Sequence, residues 1–195
     1  MIYLICLAAG RGRRFGADKL LAPWQGRPLY SWGLETLAAA CNRRTDARLI
    51  VVTNTPAIAE SARALGGEAV PSPESEKGQS FSLRAGLDAL PPLQENDFLL
   101  FGVADQPLLR VETVRRLLDT AAPGVWGATV AAGDRVGSPA LFSAALAPAL
   151  RALEGDRGGR RVLNAHPERV LRVECDPEEL RDIDRPEDLA RLSPN

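Results

Sequence analysis

The sequence predicts an α/β fold of three layers, with a mostly parallel sheet covered by helices on both faces. Three observations carry this. Short apolar runs of strand length alternate with segments of helical spacing along the chain. The run Asp97-Phe98-Leu99-Leu100-Phe101-Gly102-Val103 is nearly all apolar, as a central parallel strand must be when both its faces are buried. The first apolar run opens directly into a loop rich in glycine and cations, placed where such sheets bind ligands.

That first run, Ile2-Tyr3-Leu4-Ile5-Cys6-Leu7, is long enough for a buried strand and too short for a helix. It continues as Ala8-Ala9-Gly10-Arg11-Gly12-Arg13-Arg14-Phe15-Gly16-Ala17-Asp18-Lys19, with three glycines, three arginines and a lysine. Glycines let backbone N–H groups approach an anion closely, and the cations add charge-assisted hydrogen bonds. The expected ligand is phosphorylated. Gly10, Gly12 and Gly16 are spaced one residue too long for the dinucleotide fingerprint. The second apolar run, Leu49-Ile50-Val51-Val52, ends in Thr53-Asn54 rather than in the acidic residue that holds a ribose, so a nicotinamide cofactor is not expected. Lys19 lies between Asp18 and Leu20, which excludes a Walker A loop.

The remaining elements follow in order. Lys19 to Gly26 reads as irregular, and Arg27-Pro28 opens a helix to about Cys41, with Pro28 suited to its first turn. Trp24 and Trp32 admit two readings, packing or stacking on a base. A strand over about 47–53 leads to a helix capped by Thr55-Pro56 and ended by Gly66-Gly67. A short strand at Glu68–Val70 is followed by Pro71-Ser72-Pro73. In Gly78-Gln79-Ser80-Phe81-Ser82-Leu83, Ser80 or Ser82 is placed to cap the next helix, leaving free N–H groups at its start that attract an anion. The strand at Asp97–Val103 delivers Asp105 to the ligand-binding edge, where a carboxylate near a triphosphate is a natural Mg²⁺ ligand.

A helix through Val111 to Ala121 and a strand at about 125–131 come next, and Ala132 to Gly137 reads as a hairpin into Ser138-Pro139-Ala140-Leu141-Phe142. Ser143 to Leu153 is a helix that Pro148 kinks or splits. Asp156 caps a helix through Leu163 and Asn164, and the arginines of Gly155-Asp156-Arg157-Gly158-Gly159-Arg160-Arg161 face an anionic acceptor or solvent. His166 falls in an exposed turn, and Arg169 to Glu174 alternates as a last strand.

A chain of 195 residues, 45% hydrophobic and 25% charged, is expected to form a single soluble domain over residues 1–195. The net charge of −1 supports neither nucleic acid nor a membrane as a partner. No run is long enough to span a bilayer and none reads as a signal peptide, so a cytoplasmic location is expected. Cys6, Cys41 and Cys175 are scattered, which suits reduced thiols and argues against a zinc site. With His166 as the single histidine, a Ser-His-Asp triad is unavailable.

Leu7-Ala8-Ala9-Gly10, with Arg14, Gly16 and Lys19, resembles the opening motif of nucleotidyltransferases. The whole pattern is most similar to the MobA-like NTP transferases, and among them to the molybdenum cofactor cytidylyltransferases. Gly78 to Gly86, Ala104-Asp105-Gln106-Pro107, Gly137-Ser138-Pro139 and Asp182-Ile183-Asp184-Arg185-Pro186-Glu187-Asp188-Leu189 match further motifs in the family's order. Ser138 stands where the family usually has histidine, which bears on the acceptor. The resemblance implies a Rossmann-like nucleotide-diphospho-sugar-transferase fold and transfer of CMP from CTP to the phosphate of molybdopterin. It implies nucleotide contacts from Leu7, Ala8, Ala9, Gly10, Arg11, Gly12, Arg14, Lys19, Gly78, Ser80, Ser82 and Asp105, with Arg14, Lys19 and Asp105 catalytic. Mg²⁺ would be held by Asp105 and Asp184, with Asp182 the alternative to Asp184. Ala9, where guanylyl-transferring relatives carry glycine, favours CTP. Guanylyl transfer to the same cofactor, a sugar- or alcohol-phosphate acceptor and a non-catalytic cofactor carrier remain alternatives. A molybdoenzyme or its maturation factor is the implied protein partner.

Overall fold

A computed structural model gives the structure of the chain and describes residues 1–10, 18–181, 183 and 188. Its strands are β1 (Ile2–Leu7), β2 (Pro23–Trp24), β3 (Arg27–Pro28), β4 (Ala47–Val52), β5 (Glu68–Val70), β6 (Phe98–Val103), β7 (Gly127–Ala132), β8 (Arg135–Ser143) and β9 (Val170–Glu174). Its helices are α1 (Leu29–Cys41), α2 (Pro56–Ala64), α3 (Gln79–Asp88), α4 (Val111–Leu118), α5 (Ala147–Arg151) and α6 (Arg160–Asn164). Seven strands form one sheet in the order β5-β4-β1-β6-β8-β7-β9, and β2 with β3 makes a separate ribbon.

The central strand shows why three layers form. Side chains alternate across a strand, so Ile2, Leu4 and Cys6 of β1 enter one core while Tyr3 and Ile5 enter another. The first core takes Leu34 and Leu37 of α1, Ile58 of α2 and Val114 and Leu117 of α4. The second takes Leu83 and Leu87 of α3, Leu150 of α5 and Leu163 of α6. Among the described residues α1, α2 and α4 thus cover one face of the sheet and α3, α5 and α6 the other, and β1 pairs in parallel with β4 and β6 along its whole length. The α/β class and the mostly parallel sheet follow the sequence.

One strand runs the other way. β8 lies antiparallel between β6 and β7. Ala132 pairs with Arg135, so Gly133 and Asp134 are the turn, and Gly133 has φ +56. A two-residue connection can only join antiparallel strands. β9 then returns parallel to β7.

Several boundaries differ from expectation for local reasons. Pro28 does not enter the helix; it ends the β2–β3 ribbon, whose turn at Gln25 and Gly26 has φ +48 and +78, and α1 starts one residue later. The Thr55 side chain makes no capping bond to α2; Thr53 Oγ1 accepts from the Thr55 N–H instead (3.1 Å). Ser80 and Ser82 do not cap α3, which begins at Gln79 with Gly78 in the cap position. Asp156 does not cap α6, whose cap position is Gly159. Pro148 splits its segment into a 3₁₀ turn, Ala144–Leu146, and α5, sitting in the helix's first turn where its missing N–H costs nothing.

Trp24 and Trp32 pack edge to face, their ring centroids 5.0 Å apart, in a small cluster with Leu29, Leu108 and Ile183. This is the packing reading. Cys6 and Cys41 are buried, and burial pushes their thiols up to about 12 and about 11, with the nearby carboxylates of Asp105 and Asp46 adding to it. His166 is exposed beside Glu168. No helix among the described residues is long and apolar enough to cross a membrane.

Candidate active site

The site forms where β1, β4 and β6 end together. Leu7 is in register with Val52 and Val103, and the pairing continues past the strands: Ala8 N–H donates to Val52 O (2.8 Å) and Ala104 N–H to Leu7 O (3.3 Å). These bonds hold the start of the glycine loop beside Ala104-Asp105. Ala8 and Ala9 are buried and Gly10 is exposed. A Cβ at Gly10 would meet nothing within 4 Å, so packing does not demand glycine there. What its bare backbone supplies is close approach for a ligand. Arg11, Gly12 and Arg14 lie outside the described residues.

Lys19 begins a 3₁₀ turn, Lys19–Leu21, capped by Asp18, whose Oδ1 accepts from the Leu20 N–H (3.2 Å). Lys19 Nζ donates to Asp105 Oδ2 at 2.5 Å, with the two side chains 11% and 21% exposed. Sheltered from water, this charge-assisted pair is stronger than a surface ion pair. The cation and the carboxylate that the sequence singles out, 86 positions apart, are thus brought into contact. Gly33 is what lets α1 close over this edge: a Cβ there would stand 2.9 Å from Ala104 O. The sequence reading missed it, because a lone helical glycine gives no local signal of its partner.

Two cavities flank the ion pair. The larger, about 1060 Å³, is lined by Leu7, Val103 and Asp105 on one side and by Ser138 and the 156–161 segment on the other. Of its arginines, Arg135 donates to Leu180 O (2.5 Å) and Arg160 to Val136 O (2.8 Å). The guanidinium groups of Arg157 and Arg161 make no hydrogen bond or ion pair among the described residues and remain the cations this cavity offers a ligand. The smaller cavity, about 250 Å³, is lined by Ala8, Ala9 and Gly10, by Asn54, Thr55, Pro73, Ser75 and Glu76, and by Asp18 and Leu20. Lys19 therefore leaves the chain between two residues of the small cavity and touches a residue of the large one.

The start of α3 is not the open anion site that the sequence suggests. Ser80 N–H donates to Gly155 O (3.0 Å) and Phe81 N–H to Gly78 O (3.1 Å). Ser80 and Ser82 are buried; Ser82 Oγ meets Ser72 Oγ at 3.3 Å. Gly78, Ser80 and Ser82 line neither cavity, whereas Gln79 lines the larger one. Gly78 has φ +128, and a Cβ on it would fall 2.3 Å from Gly155 C and O. Gly78→Ala is therefore expected to cost roughly 2–4 kcal/mol through backbone strain and overpacking. Thermal unfolding followed by circular dichroism should show Tm lowered by about 5–10 °C; an unchanged Tm would mean that this backbone contact is not kept.

The donor set fits a metal that arrives with phosphates. Among the described residues no group of three or more His, Cys, Asp or Glu is arranged to hold an ion unaided. Mg²⁺ needs only one or two carboxylates when phosphate oxygens and water fill the remaining positions. Asp105 has the chemistry and the position. Asp182 and Asp184 lie outside the described residues; Ile183 between them is buried against Trp24 and Leu29.

The family model of the MobA-like NTP transferase domain matches residues 4–170. The chain is 32% identical to nicotine blue oxidoreductase of Paenarthrobacter nicotinovorans, over 96% of this chain and 94% of that one. It is 32% identical to a probable molybdenum cofactor guanylyltransferase of Deinococcus radiodurans, over 95% and 91%. Among solved structures, Rv0371c of Mycobacterium tuberculosis superposes with a TM-score of 0.77 at 27% identity, covering 98% of this chain and 96% of that one. Rv0371c has also been solved in complex with manganese.

Proposed function

Because the chain belongs to the MobA-like NTP transferase family and is a nucleotidyltransferase, we propose that it transfers CMP from CTP to the phosphate of a molybdopterin-type acceptor, releasing pyrophosphate. The observation that carries this reading is the Lys19–Asp105 pair standing between a small cavity beside the glycine loop and a larger one with unpartnered arginines. The small cavity seats the nucleotide and the large one the acceptor. An oxygen of the acceptor phosphate attacks the α-phosphorus; the bond from that phosphorus to the bridging oxygen breaks, and pyrophosphate leaves. The attacking oxygen is already anionic, so no side chain has to remove a proton. What the protein contributes is position and charge.

The assigned roles are as follows. Gly10, Gly12 and Arg14 bind the β- and γ-phosphates, with Arg11 beside them, and Lys19 neutralises charge gathering around the α-phosphorus. Asp105, with Asp184 or Asp182, would hold Mg²⁺, which when bound withdraws charge from the reacting phosphate. Arg157 and Arg161 face the anionic acceptor. Ser82, whose hydroxyl meets that of Ser72, supports the loop that lines the nucleotide cavity, and Ser80 ties the start of α3 to Gly155. Ala9 supports CTP: it lines the small cavity, where its methyl group takes space that a purine would need.

Pyrophosphate release, followed with each nucleoside triphosphate, with and without Mg²⁺ and molybdopterin, tests the reaction. In a thermal-shift comparison CTP is expected to raise Tm more than GTP at equal concentration, since ligand-linked stability grows with affinity. A larger shift with GTP would replace cytidylyl by guanylyl transfer, the activity named for the Deinococcus relative. Stabilisation by a nicotinamide dinucleotide and by neither triphosphate would instead favour a redox activity such as the name of the Paenarthrobacter relative carries.

A further inference from the structure

The β4–β5 pairing ends at Val52 opposite Val70, with Thr53 N–H donating to Val70 O (2.9 Å). Beyond it comes Pro71-Ser72-Pro73, in which two of three residues have no N–H to pair. A side chain takes over where the strands stop. Ser72 N–H donates to Asn54 Oδ1 (2.8 Å), and Asn54 Nδ2 donates back to Ser72 O (2.7 Å). These are the two bonds that an opposed residue of an antiparallel strand would exchange with Ser72. The same Nδ2 donates to Ser75 Oγ (3.0 Å), and Ser72 Oγ reaches Ser82 Oγ on α3 (3.3 Å). The loop from Ser72 to Ser75 is thereby fastened to β4 and to α3.

That loop is a wall of the small cavity. Asn54, Pro73 and Ser75 line it together with Ala9 and Gly10. We propose that Asn54 is a positioning residue for nucleotide selection: its amide fixes the distance between the Ser72–Ser75 loop and the glycine loop, and so the width available to the base. The proposal rests on the small cavity being the nucleotide's. No direct contact between Asn54 and the substrate is required. Only a side chain with one donor and one acceptor in a plane makes the paired bonds, so aspartate, nearly identical in shape, cannot replace it. In Asn54→Asp a carboxylate oxygen would face Ser72 O with no hydrogen between them, and the Ser75 hydroxyl would have to turn and donate where it now accepts.

The test is nucleotide binding by calorimetry, with steady-state kinetics beside it, for wild type, Asn54→Asp, Asn54→Ala and Ser75→Ala, each with CTP and GTP. For Asn54→Asp the dissociation constant and KM for the better nucleotide are expected to rise about tenfold, near 1.4 kcal/mol, with kcat within about twofold. The CTP-to-GTP preference should move by more than about threefold, and Ser75→Ala should show a smaller change in the same direction. If Asn54→Asp does not fold, Asn54→Ala carries the same reading. A lowered Tm with dissociation constants and base preference unchanged in every folded variant would reduce Asn54 to a structural brace and overturn the proposal. Should the wild type bind neither triphosphate, the nucleotidyl-transfer reading falls, and this inference with it. Tight wild-type binding that the variants leave untouched sinks this inference alone.

Discussion

Asp105→Ala is expected to lower turnover by about 10³-fold or more, because the group removed acts where charge develops on the reacting phosphate. The sheet should survive, since Asp105 lies in the loop beyond β6 and not in a core. Stability should still fall. Lys19, with a side chain 11% exposed, would lose its hydrogen bond to Asp105, a loss of about 1 kcal/mol or more for a bond to a charged group. Pyrophosphate release at several Mg²⁺ concentrations reads the first effect and thermal unfolding reads the second. Activity within tenfold of wild type would remove Asp105 from the metal assignment.

Lys19→Met keeps the length of the side chain and deletes its charge, and about 10²–10³-fold of turnover should go with it. Its metal response should differ from that of Asp105→Ala. Losing the lysine leaves the carboxylate in place, so the Mg²⁺ concentration for half-maximal rate should not rise, whereas it should rise when Asp105 is replaced. Lys19→Arg should recover only part of the loss, since a planar guanidinium does not substitute for a compact ammonium. Combining Lys19→Met with Asp105→Asn gives a cleaner separation. The double variant removes both charges of the pair and should melt above the value that adding the two single losses gives, yet remain inactive. Losses in the double variant that equal the sum of the single losses would mean that the pair does not couple.

How much of this was legible beforehand depended on the range of the interactions that decide it. β1, β5 and β6 announce themselves because a strand buried on both faces, or stopped by glycine and proline, carries its signal in a few consecutive residues. Lys19 and Asp105 could be chosen separately from motif chemistry, although only the fold shows them 2.5 Å apart. The reversed direction of β8 was half visible: Gly133-Asp134 signals a tight hairpin, but insertion of the returning strand between β6 and β7 is a long-range choice. Ser80 and Ser82 misled for a related reason. Both have the propensity of caps, but the Gly155 carbonyl takes the Ser80 N–H and the hydroxyls turn inward. Asn54 gave no hint at all, since a polar residue after a strand reads as loop until its partner 18 positions away is known.

The unequal burial of the three thiols gives the molecule a built-in handle. Reagents attack the thiolate, and Cys6 and Cys41 are both enclosed and held protonated, at about 12 and about 11. Cys175, half-exposed just beyond β9, is also pushed up, first by burial and then by Glu179, but a probe can reach it. A maleimide dye should therefore label the unaltered protein at a single position. Its attachment point is on β9's side of the sheet, with three strands between it and β1, so the dye would leave the Lys19–Asp105 edge clear.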